Sequence, residues 1–160
     1  MSHLHLCNTF FEKELESPLK CSLLEWLYSN PTVLQLQFLP LLYAEKEDRI
    51  LVSDLPQTPR CCFHLLESPP SGMRMESWGA SQSLHHWAKK QGIPYEMPDW
   101  EVVRKINSKC FSFSESPKLP FSTLLTTEKE TLSWIEKTPG PKVLKTAYGT
   151  SATGHFHVEQ

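Results

Sequence analysis

No stretch of this chain approaches the roughly 18 consecutive apolar residues that a membrane-spanning helix needs, so no helical span is expected. An excess of charge of one sign is also lacking. Lys and Arg total 16, Asp and Glu 18, and the net charge is −2, whereas a general nucleic-acid binder presents a basic face. The cysteines Cys7, Cys21, Cys61, Cys62 and Cys110 are odd in number, and none forms a C-x-x-C pair. That excludes the usual disulfide framework and zinc ribbon and points to free thiols in a reducing compartment. The N-terminal run MSHLHLCNTFF lacks the basic n-region and long apolar h-region of a secretory signal. A cytoplasmic protein with no membrane and no nucleic-acid partner is expected. There is no internal repeat.

What is present is enough for a core. The chain has 160 residues, 39% of them hydrophobic and 11% aromatic, about one domain's worth at roughly 100–200 residues each. Its 13 prolines are spread along the chain and punctuate elements. Residues 17–29 read as a helix: Ser17 caps it, Pro18 fits the first position, and Leu19, Leu23, Trp26 and Leu27 share a face. Asn30–Pro31 ends it. Val33–Tyr43 is ambiguous, with alternation in Val33–Phe38 favouring a strand that Pro40 interrupts. Residues 49–53 read as a short buried strand, and 53–59 and 67–72 as loops. Ser81 caps a helix over 82–91 that Gly92 terminates. Asp99 caps another near 100–107 with Val102, Val103 and Ile106 inward. Residues 112–120 read as loop and Ser122–Leu125 as strand. Thr127 and Glu130 form a capping-box signature for a helix to Lys137, with Leu132 and Ile135 inward. Pro139–Pro141 stops it. Strands follow at 142–146 and 154–158, with Phe156 and Val158 on one side of the second.

The segment from Val143 to Phe156 carries the most chemistry: strand, Lys145, a small-residue loop with Gly149 and Gly154, strand. Glycines allow backbone N–H groups to approach an anion closely. Thr150, Ser151 and Thr153 add hydroxyl donors, and Lys145 adds a point charge suited to phosphate. The spacing Gly149-x-x-x-x-Gly154 imitates a Walker A loop, but that motif needs Lys and Ser/Thr directly after the second glycine, opening a helix. Here His155 follows, and alternation predicts a strand. The alternatives are a loop that folds over a triphosphate and an ordinary hairpin turn with a surface lysine.

From Asn107-Ser108-Lys109 through Lys118-Leu119-Pro120, Ser122–Leu125, the helix to Lys137 and Val143-Leu144-Lys145, the order and spacing resemble the opening of an ATP-grasp domain. The resemblance implies that Lys109 and Lys145 contact nucleotide phosphates and that Gly149–Gly154, with Thr150, Ser151 and Thr153, covers them. Lys118 stands where the family has glycine, and Thr146 where it commonly has proline. Residues 1–105 then look like a pre-ATP-grasp domain. The expected fold class is α/β: a small open three-layer domain over 1–105, followed by an incomplete α+β ATP-grasp subdomain over 106–160.

Other features are read beside this one. Trp78-Gly79-Ala80-Ser81 suits a strand-to-helix turn whose N–H groups face an anion or merely open a capped helix. Trp78, Trp87 and Trp100 read as core anchors. His3, His5 and Cys7 alternate as metal ligands on a strand face do. Cys61, Cys62 and His64 place a thiol near an imidazole. His155 and His157 share a strand face, near nucleotide or solvated.

The family's magnesium ligands and adenine hinge lie downstream of the glycine loop, and the sequence ends six residues after Gly154. The expectation is therefore the N-terminal portion of an ATP-dependent ligase joining a carboxylate to an amine or thiol, with ATP as cofactor, magnesium ligands absent and no activity alone. The alternative is a small non-catalytic α/β interaction or regulatory module.

Overall fold

The computed structural model describes residues 2–9, 11–19, 21–53, 65–149 and 154–159. Within them lie seven α-helices, one 3-10 helix and six strands, a mixed α/β protein. The chain divides into two compact units, Met1–Trp100 and Glu101–Gln160.

The first unit is built on a parallel sheet of β1 (His3–Leu6), β2 (Arg49–Leu51), β3 (Leu65–Leu66) and β4 (Arg74–Ser77) in the order β3-β2-β1-β4. Leu4 registers with Arg49 and Met75, and His5 with Ile50 and Glu76. Strand side chains alternate between faces, so the register splits the sheet. Leu4, Leu6, Leu51 and Met75 form one face and join the core with Leu23, Leu27, Val33, Leu84 and Ala88. The other face holds His3, His5, Glu76 and Ile50, the last packed with Val52 near Phe38, Leu41 and Ala44.

Three α-helices in this unit begin where a side chain satisfies free N–H groups of the first turn. The helix expected over 17–29 is shorter: α1 (Glu12–Glu16) lies before it and ends at Ser17, and within it only α2 (Leu23–Ser29) forms. Ser22, not Ser17, caps α2 by accepting from Glu25 N at 3.2 Å. The strand expected in 33–38 is instead α3 (Pro31–Leu36), followed by a 3-10 turn at Leu39–Leu42. Asn30 explains this. It ends α2 and also caps α3, its Oδ1 accepting from Thr32 N at 3.0 Å and Val33 N at 3.4 Å, with Pro31 preset at the first helical position. Helix α4 (Gln82–Lys90) is as read: Ser81 Oγ accepts from Leu84 N, and Gly92 takes a left-handed φ of 69°.

The second unit holds α6 (Lys109–Glu115), α7 (Glu128–Lys137) and the antiparallel hairpin of β5 (Lys142–Lys145) and β6 (His155–Val158), preceded by α5 (Trp100–Ile106). Its core is thin: Val103 is the one buried hydrophobic among its described residues, while Val102, Ile106 and Leu132 are exposed against expectation. Of the run 112–120 read as loop, the first part, to Glu115, is helical because Ser108 caps α6, accepting from Phe111 N at 3.1 Å. Ser122–Leu125 pairs with no strand among the described residues. Ser122 closes a turn on Leu119 O, and the Thr126 N–H and hydroxyl both donate to Glu130. The capping box of Thr127 and Glu130 forms as read.

Candidate functional site

The site is assembled by the hairpin and the start of α6. Register pairs Lys145 with His155, Leu144 with Phe156, Val143 with His157 and Lys142 with Val158. Opposed residues share a face and neighbours alternate. Lys145, His155 and His157 therefore stand on one face with Val143, and Lys142, Leu144, Phe156 and Val158 on the other.

Lys109 is drawn to the same end of the hairpin. Its backbone N–H donates to Ala147 O at 2.7 Å. Its ammonium donates to Tyr148 O at 2.9 Å and Gly149 O at 2.6 Å. A cation in the first turn of a helix faces the positive end of the backbone dipole, and these carbonyls offset that. Thr146 ties the loop stem from within, its N–H to Gly154 O at 2.9 Å and its hydroxyl to Tyr148 O at 2.6 Å. Gly149 and Gly154 hold φ of 106° and 69°, which only glycine adopts at little cost.

Partial desolvation, then the charges of Lys145, Lys109 and His157, press the His155 imidazole below its ordinary pKa. Every charge acting on this ring is cationic. An ammonium has three donors, and Lys109 spends two on the loop. The third suits an oxyanion, and Lys145, which like Lys109 acts on His155, adds a second charge. Of the residues read as phosphate-binding, Lys109, Lys145, Gly149 and Gly154 are brought together. Thr150, Ser151 and Thr153 lie outside the described residues. The two histidines, read as a solvated or nucleotide-facing pair, belong to the same cationic face; their i, i+2 spacing against Lys145 was the signal.

The first unit places its polar residues differently. The start of α4 is already occupied by an internal anion: Glu14 is buried, and its carboxylate accepts from Ser83 N at 2.7 Å and Ser83 Oγ at 2.6 Å. Gly79 is clasped by Asn8, which accepts from Gly79 N at 2.9 Å and donates to Gly79 O at 2.7 Å. Trp78 is exposed and anchors no core, while Trp87 packs against it. His5 Nε2 lies 3.0 Å from Asp48 Oδ2, so this histidine is engaged by a carboxylate. No group of three His, Cys, Asp or Glu among the described residues can hold a metal ion. Burial pushes the Cys7 thiol up, against hydrogen bonding from Thr9. Cys61, Cys62 and His64 lie outside the described residues. No described helix is long and apolar enough to cross a membrane.

Compared with known proteins, the chain matches no family model, no curated protein and no solved structure.

Proposed function

We propose that this chain supplies the phosphate-holding part of a nucleotide site in an ATP-grasp-like protein, a ligase that joins a carboxylate to an amine or thiol at the expense of ATP. The observation that carries the reading is the convergence of Lys109, Lys145 and His155 on the loop end of a glycine-bounded hairpin, with His157 further along the same face and the Lys109 ammonium held by Tyr148 O and Gly149 O. Such a group fits a polyphosphate: Lys109 held in place by two loop carbonyls with an ammonium donor to spare, the exposed charge of Lys145, and glycines at Gly149 and Gly154 that let backbone approach an anion. Lys145 and Lys109 would hold the phosphate oxygens and orient the terminal phosphorus toward an incoming carboxylate. Magnesium, which the resemblance implies for the complete ligase, has no candidate ligand cluster among the described residues, and no step is derived through it.

Calorimetric titration with ATP, ADP and AMP tests the reading. Affinity is expected to fall in that order and to weaken at least tenfold in Lys145→Ala. Absence of ATP binding at millimolar concentration would overturn it. Phe121, 91% exposed, and Phe156, 58% exposed, favour a second reading, an α/β interaction module. That reading stands if the hairpin binds no phosphate at all.

A further inference from the structure

Strands β5 and β6 pair with each other and with no other strand among the described residues, so each carries an open edge. A two-stranded hairpin is marginal by itself, and further strands sharing an apolar face are what make such a sheet stable. The two edges are not alike. That of β5 has devices that keep a bare edge from pairing: Pro141 just before it, and Lys142 and Lys145 at its ends. Strand β6 carries no Pro, no Lys and no break in its register.

One hydrogen bond sets the direction of the β6 backbone. Thr146 N donates to Gly154 O at 2.9 Å, so that carbonyl points at β5. A trans peptide sends its C=O and N–H opposite ways, so His155 N–H points away from β5. Residues of an antiparallel ladder alternate in this respect. Phe156 and Val158 therefore turn their backbone groups to β5, while His155, His157 and Glu159 turn theirs to the open edge.

This edge is complementary to itself. A two-fold axis at His157 sets two copies antiparallel, with His157 opposite its counterpart. His155 then faces Glu159 of the other copy, and Phe156 faces Val158. The outward backbone groups are the ones that meet, so His157 with its counterpart and His155 with Glu159 can each exchange both N–H···O bonds. Phe156, 58% exposed, gains a β-branched cross-strand neighbour, a favourable pairing. Opposite charge meets too: Glu159 arrives at His155, whose charged neighbours are otherwise Lys145, Lys109 and His157. An axis at Glu159 would oppose two carboxylates. One at Phe156 would offer backbone groups already turned to β5.

We infer that β6 is the interface at which two copies of this chain form an isologous dimer, their hairpins joined about His157 into one antiparallel sheet. The axis stands normal to that sheet. Lys145 of both copies falls on one face, and Leu144, Phe156 and Val158 of both on the other. The inference stands whether or not the hairpin holds phosphate.

Sedimentation equilibrium of the full chain tests it. An interface of one strand pair belongs to the small, weak class, so monomer and dimer should exchange between micromolar and hundreds of micromolar. Proline is tolerated on an edge strand where its missing N–H would face solvent, which is the setting of His157. His157→Pro should leave β6 paired to β5 and weaken the dimer at least tenfold, whereas His157→Val, which keeps the N–H, should dimerise like wild type. Glu159→Lys should also weaken the dimer at least tenfold, and His155→Glu added to it should recover most of the loss. That pair tests the register even if the proline variant does not fold. A wild-type chain monomeric at hundreds of micromolar would overturn the inference. So would a dimer indifferent to Glu159→Lys or to a folded His157→Pro, or assemblies that grow beyond two copies.

Discussion

The carboxylate of Asp48 lies 3.0 Å from Nε2 of the buried His5, and the same carboxylate accepts from His3 N at 2.8 Å and Glu45 N at 3.0 Å. One side chain therefore ties β1 to the turn that launches β2. Burial works against the charged form, but the hydrogen bonds from His5, His3 and Glu45 and the charge of His5 prevail and hold the carboxyl down to about 2. A folded pKa below the unfolded value gives stability present above the unfolded value, near 4, and lost as pH falls through 2. By linkage the contribution is on the order of 2–3 kcal/mol at neutral pH. Asp48→Asn should lower the urea midpoint at pH 7, and the gap from wild type should close between about pH 4 and pH 2. An unchanged midpoint at pH 7 would remove this role.

Asn8 works as a detached piece of backbone, donating to and accepting from Gly79. Both contacts are buried, so Asn8→Ala leaves Gly79 N–H unmatched at about 1–3 kcal/mol, while Gly79 O keeps the Ser77 hydroxyl at 2.9 Å. Asn8→Asp keeps the acceptor but turns an oxygen toward Gly79 O. Thermal melts at pH 7 should rank wild type above both variants, and Asn8→Asp should recover in part on acidification as its carboxyl regains a proton. If Asn8→Ala melts with wild type, the clasp does not hold the turn.

Gly79 is also where the Phe11 ring lies against the backbone, so a Cβ there would run into the ring. Gly79→Ala should cost about 1–3 kcal/mol, as overpacking usually does. In a Phe11→Ala background the added methyl has room, and most of that increment should vanish. A double-mutant cycle in urea reads the coupling, and strict additivity would contradict the contact.

The His155 ring should titrate below about 6.5 in the free protein, where desolvation and then Lys145, Lys109 and His157 oppose its proton. Its depressed pKa means that it favours the fold above the unfolded value, and that this preference is lost as pH falls through the folded value. Lys145→Ala should raise the pKa, and tripolyphosphate at the same face should raise it further. Histidine NMR titrations decide this: a pKa indifferent to both changes would separate His155 from the cationic face.

Much of this was legible from residues because it is local. Ser81 with Gly92, and Thr127 with Glu130, carry complete start and stop chemistry within a turn or two. The alternation about Lys145 and His155 likewise predicts the hairpin that forms. The two missed helices share one cause. Asn30 and Ser108 each begin a helix that periodicity alone did not show, since Val33–Phe38 alternates and 112–116 is rich in serine. Side-chain caps there outweighed pattern. What could not be read is long-range: that Glu14 fills the start of α4, or that Asp48 reaches His5, follows from packing between residues about 70 and 43 apart. The inward assignments of Val102, Ile106 and Leu132 failed because a helical stripe states which residues align, not whether another element covers them.

The Lys109 ammonium is the one feature of the site whose structural and binding roles can be separated. Its two bonds to Tyr148 O and Gly149 O hold the stem of the loop whether or not an anion is present. Lys109→Met keeps the length of the side chain and removes the donors, so the stem keeps only its ties to Thr146 and the Lys109 N–H. Chymotrypsin reads the result directly, because the released peptide bond follows an aromatic residue, Tyr148. Cleavage after Tyr148 should accelerate several-fold in Lys109→Met, and Lys109→Arg, which retains donors, should stay near the wild-type rate. Lys145→Ala removes a cation from the same face without touching these carbonyls, and should leave cleavage unchanged while weakening ATP. If Lys109→Met is cut no faster than wild type, the ammonium does not hold the stem, and Lys109 acts on an anion through its charge alone.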